Sequence, residues 1–137
     1  MSFFDIKNLD IEYQTRKETI EASKNVSFNL KRGEIIGIVG ESGSGKSTVA
    51  NAIINLIDKP GKIINGSIKL DGIEICKNDE IIQNIRGKKI GFIFQDPQTS
   101  LNPLFTIKEQ LVETIQTHSS LNYDAAAKKS VNLLKEV

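Results

Sequence analysis

The segment Gly40-Glu41-Ser42-Gly43-Ser44-Gly45-Lys46-Ser47 constrains this chain more than any other. It satisfies the pattern G-x-x-x-x-G-K-[ST] at every fixed position. An apolar run, Glu34 to Val39, precedes it, and Val49, Ile53, Ile54 and Ile57 follow at helical spacing. The pattern requires a strand feeding a tight loop and a loop opening a helix, so it predicts an α/β arrangement here. It also names a ligand class. Gly43 and Gly45 lack Cβ, so backbone N–H groups can close around a polyanion. The helix that follows adds unpaired N–H groups and the positive end of its dipole. Lys46 is expected to reach β- and γ-phosphate oxygens, and the Ser47 hydroxyl to ligate Mg2+. Gly40, Glu41, Ser42, Ser44 and Thr48 complete the predicted cradle for a nucleoside triphosphate.

Composition sets the limits around this loop. The chain has 137 residues, enough for about one domain with a modest core. A net charge of +1, with the two signs mixed along the chain, implies no broad attraction to nucleic acid or an anionic membrane. The single cysteine, Cys76, excludes an internal disulfide and fits a reducing compartment. It reads as a buried strand or turn residue, since no His or second Cys is near it in sequence. No apolar run is long enough to cross a bilayer, and the N-terminus lacks a signal-peptide layout. A protein like this that works at a membrane must dock on something that spans it.

Periodicity supplies the rest of the outline. Phe3 to Lys7 and Asp10 to Tyr13 alternate as half-buried strands do, with a turn at Thr15 to Glu18. Val26 to Leu30 alternates again, and Ile35 to Val39 reads as a strand covered on both faces. The helix after Lys46 is predicted over Ser47 to Ile57, before Pro60-Gly61. Ser67 to Leu70, Asp71-Gly72 and Ile73 to Cys76 predict a hairpin. A short helix over Asn78 to Arg86 and a second buried strand over Ile90 to Phe94 follow. Ile107 to Thr117 and Tyr123 to Val137 read as helices, the second capped by Asn122 or Asp124.

At this point the residues resemble a known family. The phosphate loop, Tyr13 on an upstream strand, and Gln95 at the end of an apolar strand stand in the order found in the ATP-binding subunits of ATP-binding-cassette (ABC) transporters. The resemblance implies an α/β P-loop NTPase core of ABC type, with an N-terminal antiparallel β-subdomain and the start of a helical subdomain. The expected division is 1–33 for the β-subdomain, 34–98 for the core and 99–137 for the helical part. Tyr13 is implied to stack on adenine, with Phe4 as the fallback. Gln95 is implied to be the Q-loop glutamine, a catalytic residue that shares Mg2+ with Ser47. The string Gln95-Asp96-Pro97-Gln98-Thr99-Ser100-Leu101-Asn102-Pro103 is similar to that of the oligopeptide, dipeptide and nickel importers.

The implied cofactors are ATP and Mg2+. The implied partners are transmembrane permease subunits, facing Asp96 to Asn102, and a second ATP-binding subunit. The implied location is the inner face of the cell membrane, held there by the permease. A complete subunit of this kind carries an LSGGQ-like signature, an apolar strand ending in Asp-Glu, a D-loop and a switch histidine, and none occurs in these 137 residues. His118, the only histidine, is expected in a loop between helices. The expectation is therefore a truncated, N-terminal portion that holds phosphates without the hydrolytic groups and exposes unpaired apolar edges. The alternatives are a nickel importer of the same branch, a non-functional remnant, a soluble ABC ATPase outside transport, and a small P-loop kinase.

Overall fold

The computed structural model describes residues 2–76, 78–96 and 100–137. Met1, Lys77, Pro97, Gln98 and Thr99 lie outside them, so the middle of the QDPQTSLNP string has no structural description. The chain forms two compact units, Met1–Arg86 and Gly87–Val137.

The first unit is built on a four-stranded antiparallel sheet of order β2-β1-β3-β4. Its strands are β1 (Phe4–Gln14), β2 (Thr19–Leu30), β3 (Gly61–Leu70) and β4 (Ile73–Glu74). The alternation that suggested two separate strands before Tyr13 belongs to one. Phe4, Ile6, Leu9 and Ile11 are all buried, although Ile6 and Leu9 differ in parity. A single inserted residue restores the parity, because each residue added to a strand reverses the face of those after it. Pairing with both neighbours shifts between Ile6 and Asp10, and Asn8 there takes φ 49°.

Polar side chains hold this bulge on both sides. The Ser27 hydroxyl accepts from Asn8 N–H at 2.8 Å and donates to Asn8 Oδ1 at 3.2 Å. Asp10 accepts from the Asn25 N–H through one carboxylate oxygen and from the Asn65 amide through the other. Gly66, at φ 97°, lies so close to β1 that a Cβ there would stand 2.6 Å from the Asn8 carbonyl oxygen.

Strand β2 begins well before the Val26 to Leu30 segment that the pattern predicted. Thr19 to Lys24 carry little alternation of their own, and it is pairing with Ile11 to Gln14 that makes them a strand. The turn at Thr15 to Glu18 closes with Thr15 N–H donating to the Glu18 carbonyl at 2.9 Å. The hairpin at Asp71-Gly72 follows expectation. Both residues take positive φ, 50° and 79°, as a tight two-residue turn requires.

Two helices accompany the sheet, α1 (Lys46–Ile53) and α2 (Asp79–Ile85). Helix α1 stops short of the predicted Ile57 because Asn55 adopts φ 52°, a left-handed terminator. The carbonyls just past its end are met by one side chain. Arg86 donates from Nε to Ile54 O at 2.7 Å and from a terminal nitrogen to Asn55 O at 2.8 Å. The Asn55 side chain donates to Asp79 at 2.8 Å, in the first turn of α2. Asn78 caps α2 by accepting from Glu80 and Ile81 N–H. Cys76 is buried, as expected, and its thiol donates to Glu74 Oε1 at 3.0 Å.

The predicted strands Ile35 to Val39 and Ile90 to Phe94 differ from expectation. Neither joins the sheet, and Ile35, Val39 and Ile93 are 97%, 96% and 96% exposed. An apolar run becomes a buried strand only when neighbouring strands supply a ladder and a covering face. Among the described residues no strand does so for these two.

The second unit contains α3 (Ile107–His118) and α4 (Tyr123–Glu136), joined by a short connection. Thr106 and Glu109 form a reciprocal capping box at the start of α3. Of the two candidate caps for α4, Asn122 serves, accepting from Ala125 N–H at 3.0 Å. His118 is exposed, but it is the last residue of α3 rather than a loop residue, because the helix runs one residue past the predicted end. Its ring lies against the backbone of Gly87, where φ is 71° and a Cβ would collide with it. No helix among the described residues is long and apolar enough to cross a membrane.

Two outcomes follow for stability. Arg86→Met removes two charge-assisted hydrogen bonds from half-buried carbonyls and is expected to cost about 2 kcal/mol, read from the shift in urea midpoint. The Asn25 N–H, and then the Asn65 amide, hold the Asp10 carboxyl below its ordinary value of 3.8. A depressed carboxylate stabilises the fold above its unfolded pKa and loses that contribution as pH falls through its folded one. Thermal melts of the native protein and Asp10→Asn are therefore expected to differ at neutral pH and to converge below pH 3.8.

Candidate nucleotide-binding site

The loop from Gly40 to Lys46 is shaped by two left-handed glycines. Gly43 takes φ 82° and Gly45 takes φ 84°, a region where side chains are strained. A turn closed by Ser44 N–H donating to the Glu41 carbonyl at 3.2 Å folds the loop back. Gly45 then meets the sheet. Its Cα faces the Ala22 carbonyl of β2 so closely that any Cβ would overlap the oxygen. Glycine is thus required at Gly45 twice, by its backbone angle and by its neighbour.

Gly45 is also the N-cap of α1, and its carbonyl accepts the first helical bond, from Val49 N–H at 2.9 Å. No side chain caps this helix end. Its first N–H groups and the positive end of its dipole therefore remain available to an anion. The Lys46 ammonium is folded over the loop. It donates to Gly40 O at 2.7 Å, Glu41 O at 2.6 Å and Ser44 Oγ at 3.1 Å. Ser47 is exposed in the first helical turn, and its hydroxyl makes no hydrogen bond among the described residues. Thr48 is half-buried beside it.

A cavity of 360 Å³ is lined by Gly40, Ser44, Gly45 and Lys46 from the loop and by β2 residues including Ser23 and Phe28. Of the loop residues singled out by pattern, Gly40, Ser44, Gly45 and Lys46 line this cavity, and Glu41, Ser42, Gly43, Ser47 and Thr48 are not among its lining residues. Ser23 was not anticipated from the sequence. Its Oγ is buried and has no hydrogen-bond partner among the described residues. The signal that could have found it is strand alternation, which is weak across Thr19 to Lys24.

The remaining candidates are not among the residues that line that cavity. Tyr13 is half-buried on β1, in register with Ile20 of β2 and Gly61 of β3, and is not among the lining residues. Phe4, the fallback aromatic, is buried and packs its ring 6.2 Å from that of Phe28, so it serves the core. Gln95 is exposed in the second unit, where it lines a cavity of 500 Å³ with Phe94, Asp96 and Ser100. The Ser100 hydroxyl donates to the Asp96 carbonyl at 3.1 Å. Among the described residues no three His, Cys, Asp or Glu side chains cluster as a cation cage. The oxygens near the loop are hydroxyls and carbonyls, a set that suits Mg2+ when phosphates and water complete the coordination.

Comparison with known proteins supports the same assignment. The family model described as ABC transporter matches residues 23–137. The oligopeptide transport ATP-binding protein OppD of Bacillus subtilis (strain 168) is 42% identical over 97% of this chain and 38% of its own length. The dipeptide transport ATP-binding protein DppD of Escherichia coli (strain K12) is 34% identical over 100% of this chain and 42% of its own. This chain thus spans about two fifths of the length of these curated relatives. A solved dimeric ATP-binding cassette, in a post-hydrolysis state bound to ADP and Pi, superposes with a TM-score of 0.81 at 35% identity. It covers 96% of this chain and 56% of the other. The fold is accordingly that of an ABC-type ATPase cassette. A family match that runs from the strand behind the phosphate loop to the last helix makes this chain a member of the ABC transporter family.

Proposed function

We propose that this chain binds MgATP through Gly40 to Thr48 as the nucleotide-binding part of an importer ATPase of the peptide branch. The observation that carries the proposal is the phosphate loop itself: two left-handed glycines, one seated on β2, turn an uncapped helix end and Lys46 toward one cavity. The relatives named for oligopeptide and dipeptide transport support the solute class. In this reading the Lys46 ammonium exchanges its hold on Gly40 O, Glu41 O and Ser44 Oγ for β- and γ-phosphate oxygens. The gain is a contact between opposite charges in place of contacts with uncharged oxygens. The backbone N–H groups of the loop and first helical turn donate to the remaining phosphate oxygens.

Ser47 Oγ is the residue of the loop that would hold Mg2+, and Gln95 is proposed as the Q-loop glutamine. When bound, the ion offsets charge on the phosphates and orders their oxygens. Tyr13 supplies an aromatic face for the base. Gln95 and Asp96 lie next to the segment proposed to meet a transmembrane permease subunit, and a second ATP-binding subunit completes the assembly. The protein is then held at the inner face of the cell membrane through the permease. The domain division proposed is a β-subdomain over 1–33, a phosphate-loop core over 34–98 and a helical part over 99–137.

Two substitutions test the assignment by calorimetric titration with MgATP and with magnesium tripolyphosphate, which has no base. Lys46→Ala is expected to weaken both at least about tenfold, since it removes a charged partner of the phosphates. Tyr13→Ala is expected to weaken MgATP alone, by about three- to tenfold, the scale of one stacking contact. Undiminished binding of both ligands by Lys46→Ala would overturn the assignment of the loop.

A further inference from the structure

We infer that Gly61 is a positioning residue for the base: it forms the seat on which the Tyr13 ring rests, and so fixes that ring relative to the phosphate-loop helix. The inference rests on the proposed role of Tyr13. Gly61 is the first residue of β3 and the register partner of Tyr13 on β1. Its φ is outside the left-handed region, so backbone conformation does not ask for glycine there. Space does. A Cβ on Gly61 would stand 2.5 Å from Ile57 Cγ2, 2.7 Å from Tyr13 Cε1 and 2.8 Å from the Asp58 carbonyl oxygen. Real Cβ atoms essentially never approach so closely, so at least one of the three must move for any larger residue.

The three neighbours connect two parts of the proposed site. Ile57 and Asp58 belong to the segment that leaves α1. There Leu56 N–H donates to Asn51 O at 2.8 Å, and Gly61 N–H donates to Asp58 O at 2.8 Å. The chain that begins at the phosphate loop therefore runs through α1, turns, and comes back against β1 at Tyr13. The ring edge of Tyr13 and the Ile57 side chain both border the space that a Cβ on Gly61 would fill. The phenol ring is free to swing, because Tyr13 is only half-buried and its hydroxyl makes no hydrogen bond among the described residues; Ile57 is half-buried as well. A side chain at Gly61 displaces the ring and leaves the phosphate loop in place. Neither Gly61 nor Ile57 lines the phosphate-loop cavity.

The test compares MgATP with magnesium tripolyphosphate in calorimetric titrations of the whole chain. Gly61→Ala is expected to lower MgATP affinity about three- to tenfold and to leave tripolyphosphate affinity unchanged, the same pattern as Tyr13→Ala. In the Tyr13→Ala background, Gly61→Ala is expected to produce no further loss of MgATP affinity. Ile57→Ala, which enlarges the seat without adding an atom, provides a second variant should Gly61→Ala fail to fold. It is expected to narrow the gap between the two ligands as well.

Equal losses for both ligands in Gly61→Ala, or no loss for either, would overturn the inference. So would an unchanged gap in Ile57→Ala. The underlying reading fails separately: if Tyr13→Ala leaves the gap between the two ligands intact, Tyr13 does not meet the base. If Tyr13→Ala closes the gap and neither Gly61→Ala nor Ile57→Ala does, only the seat is wrong.

Discussion

The contact between Gly45 and the Ala22 carbonyl joins the two halves of the first unit, and most of what surrounds it can be traced from there. A glycine in the left-handed region ends the loop, caps α1 and presses against β2 without an intervening atom. A side chain at that point would push the loop off the sheet and rotate the helix end away from the cavity. The contact fixes where α1 begins. The left-handed Asn55 fixes where it stops, and Arg86 gathers the carbonyls released there. Between these two points the helix has no freedom to slide, so the N–H groups at its start stay aimed at one place.

The sheet is fitted to this loop by an irregularity. Were β1 regular, Leu9 and Ile11 would face away from Phe4 and Ile6, and the core would lose half of that strand. The extra residue at the bulge prevents this. Because an inserted residue leaves backbone groups without ladder partners, short polar side chains at Asn8, Asp10, Ser27 and Asn65 take their place. The same strand then delivers Tyr13 to the returning segment after α1, with only Gly61 between them. Phosphate loop, helix and aromatic are thus linked along one continuous path of backbone.

The apolar segments Ile35 to Val39 and Ile90 to Phe94 show how far a pattern reaches. Both have the composition of central parallel strands, and composition alone made them look buried. In the folded chain Ile35 to Val39 stay exposed, as do Ile93 and Phe94, since a ladder needs a neighbour and no described strand pairs with either segment. The opposite error occurred at Thr19 to Lys24, where weak alternation hid a strand that long-range pairing with β1 creates. Local sequence describes what a segment offers, and the partner decides whether the offer is taken.

The sequence by itself determined the phosphate loop, its chemistry and its order relative to Tyr13 and Gln95. Those depend on residue types at fixed spacing over a few residues, where glycine, lysine and serine each have one physical use. It also determined the tight Asp71-Gly72 turn and narrowed the cap of α4 to Asn122 or Asp124, both local matters. The tertiary structure decided that β1 is one bulged strand, that the Ser23 hydroxyl lies buried beside the loop, and that Gly61 adjoins Tyr13. Each of these joins residues far apart in the chain through backbone pairing and excluded volume. Neither leaves a periodic trace in the residues themselves.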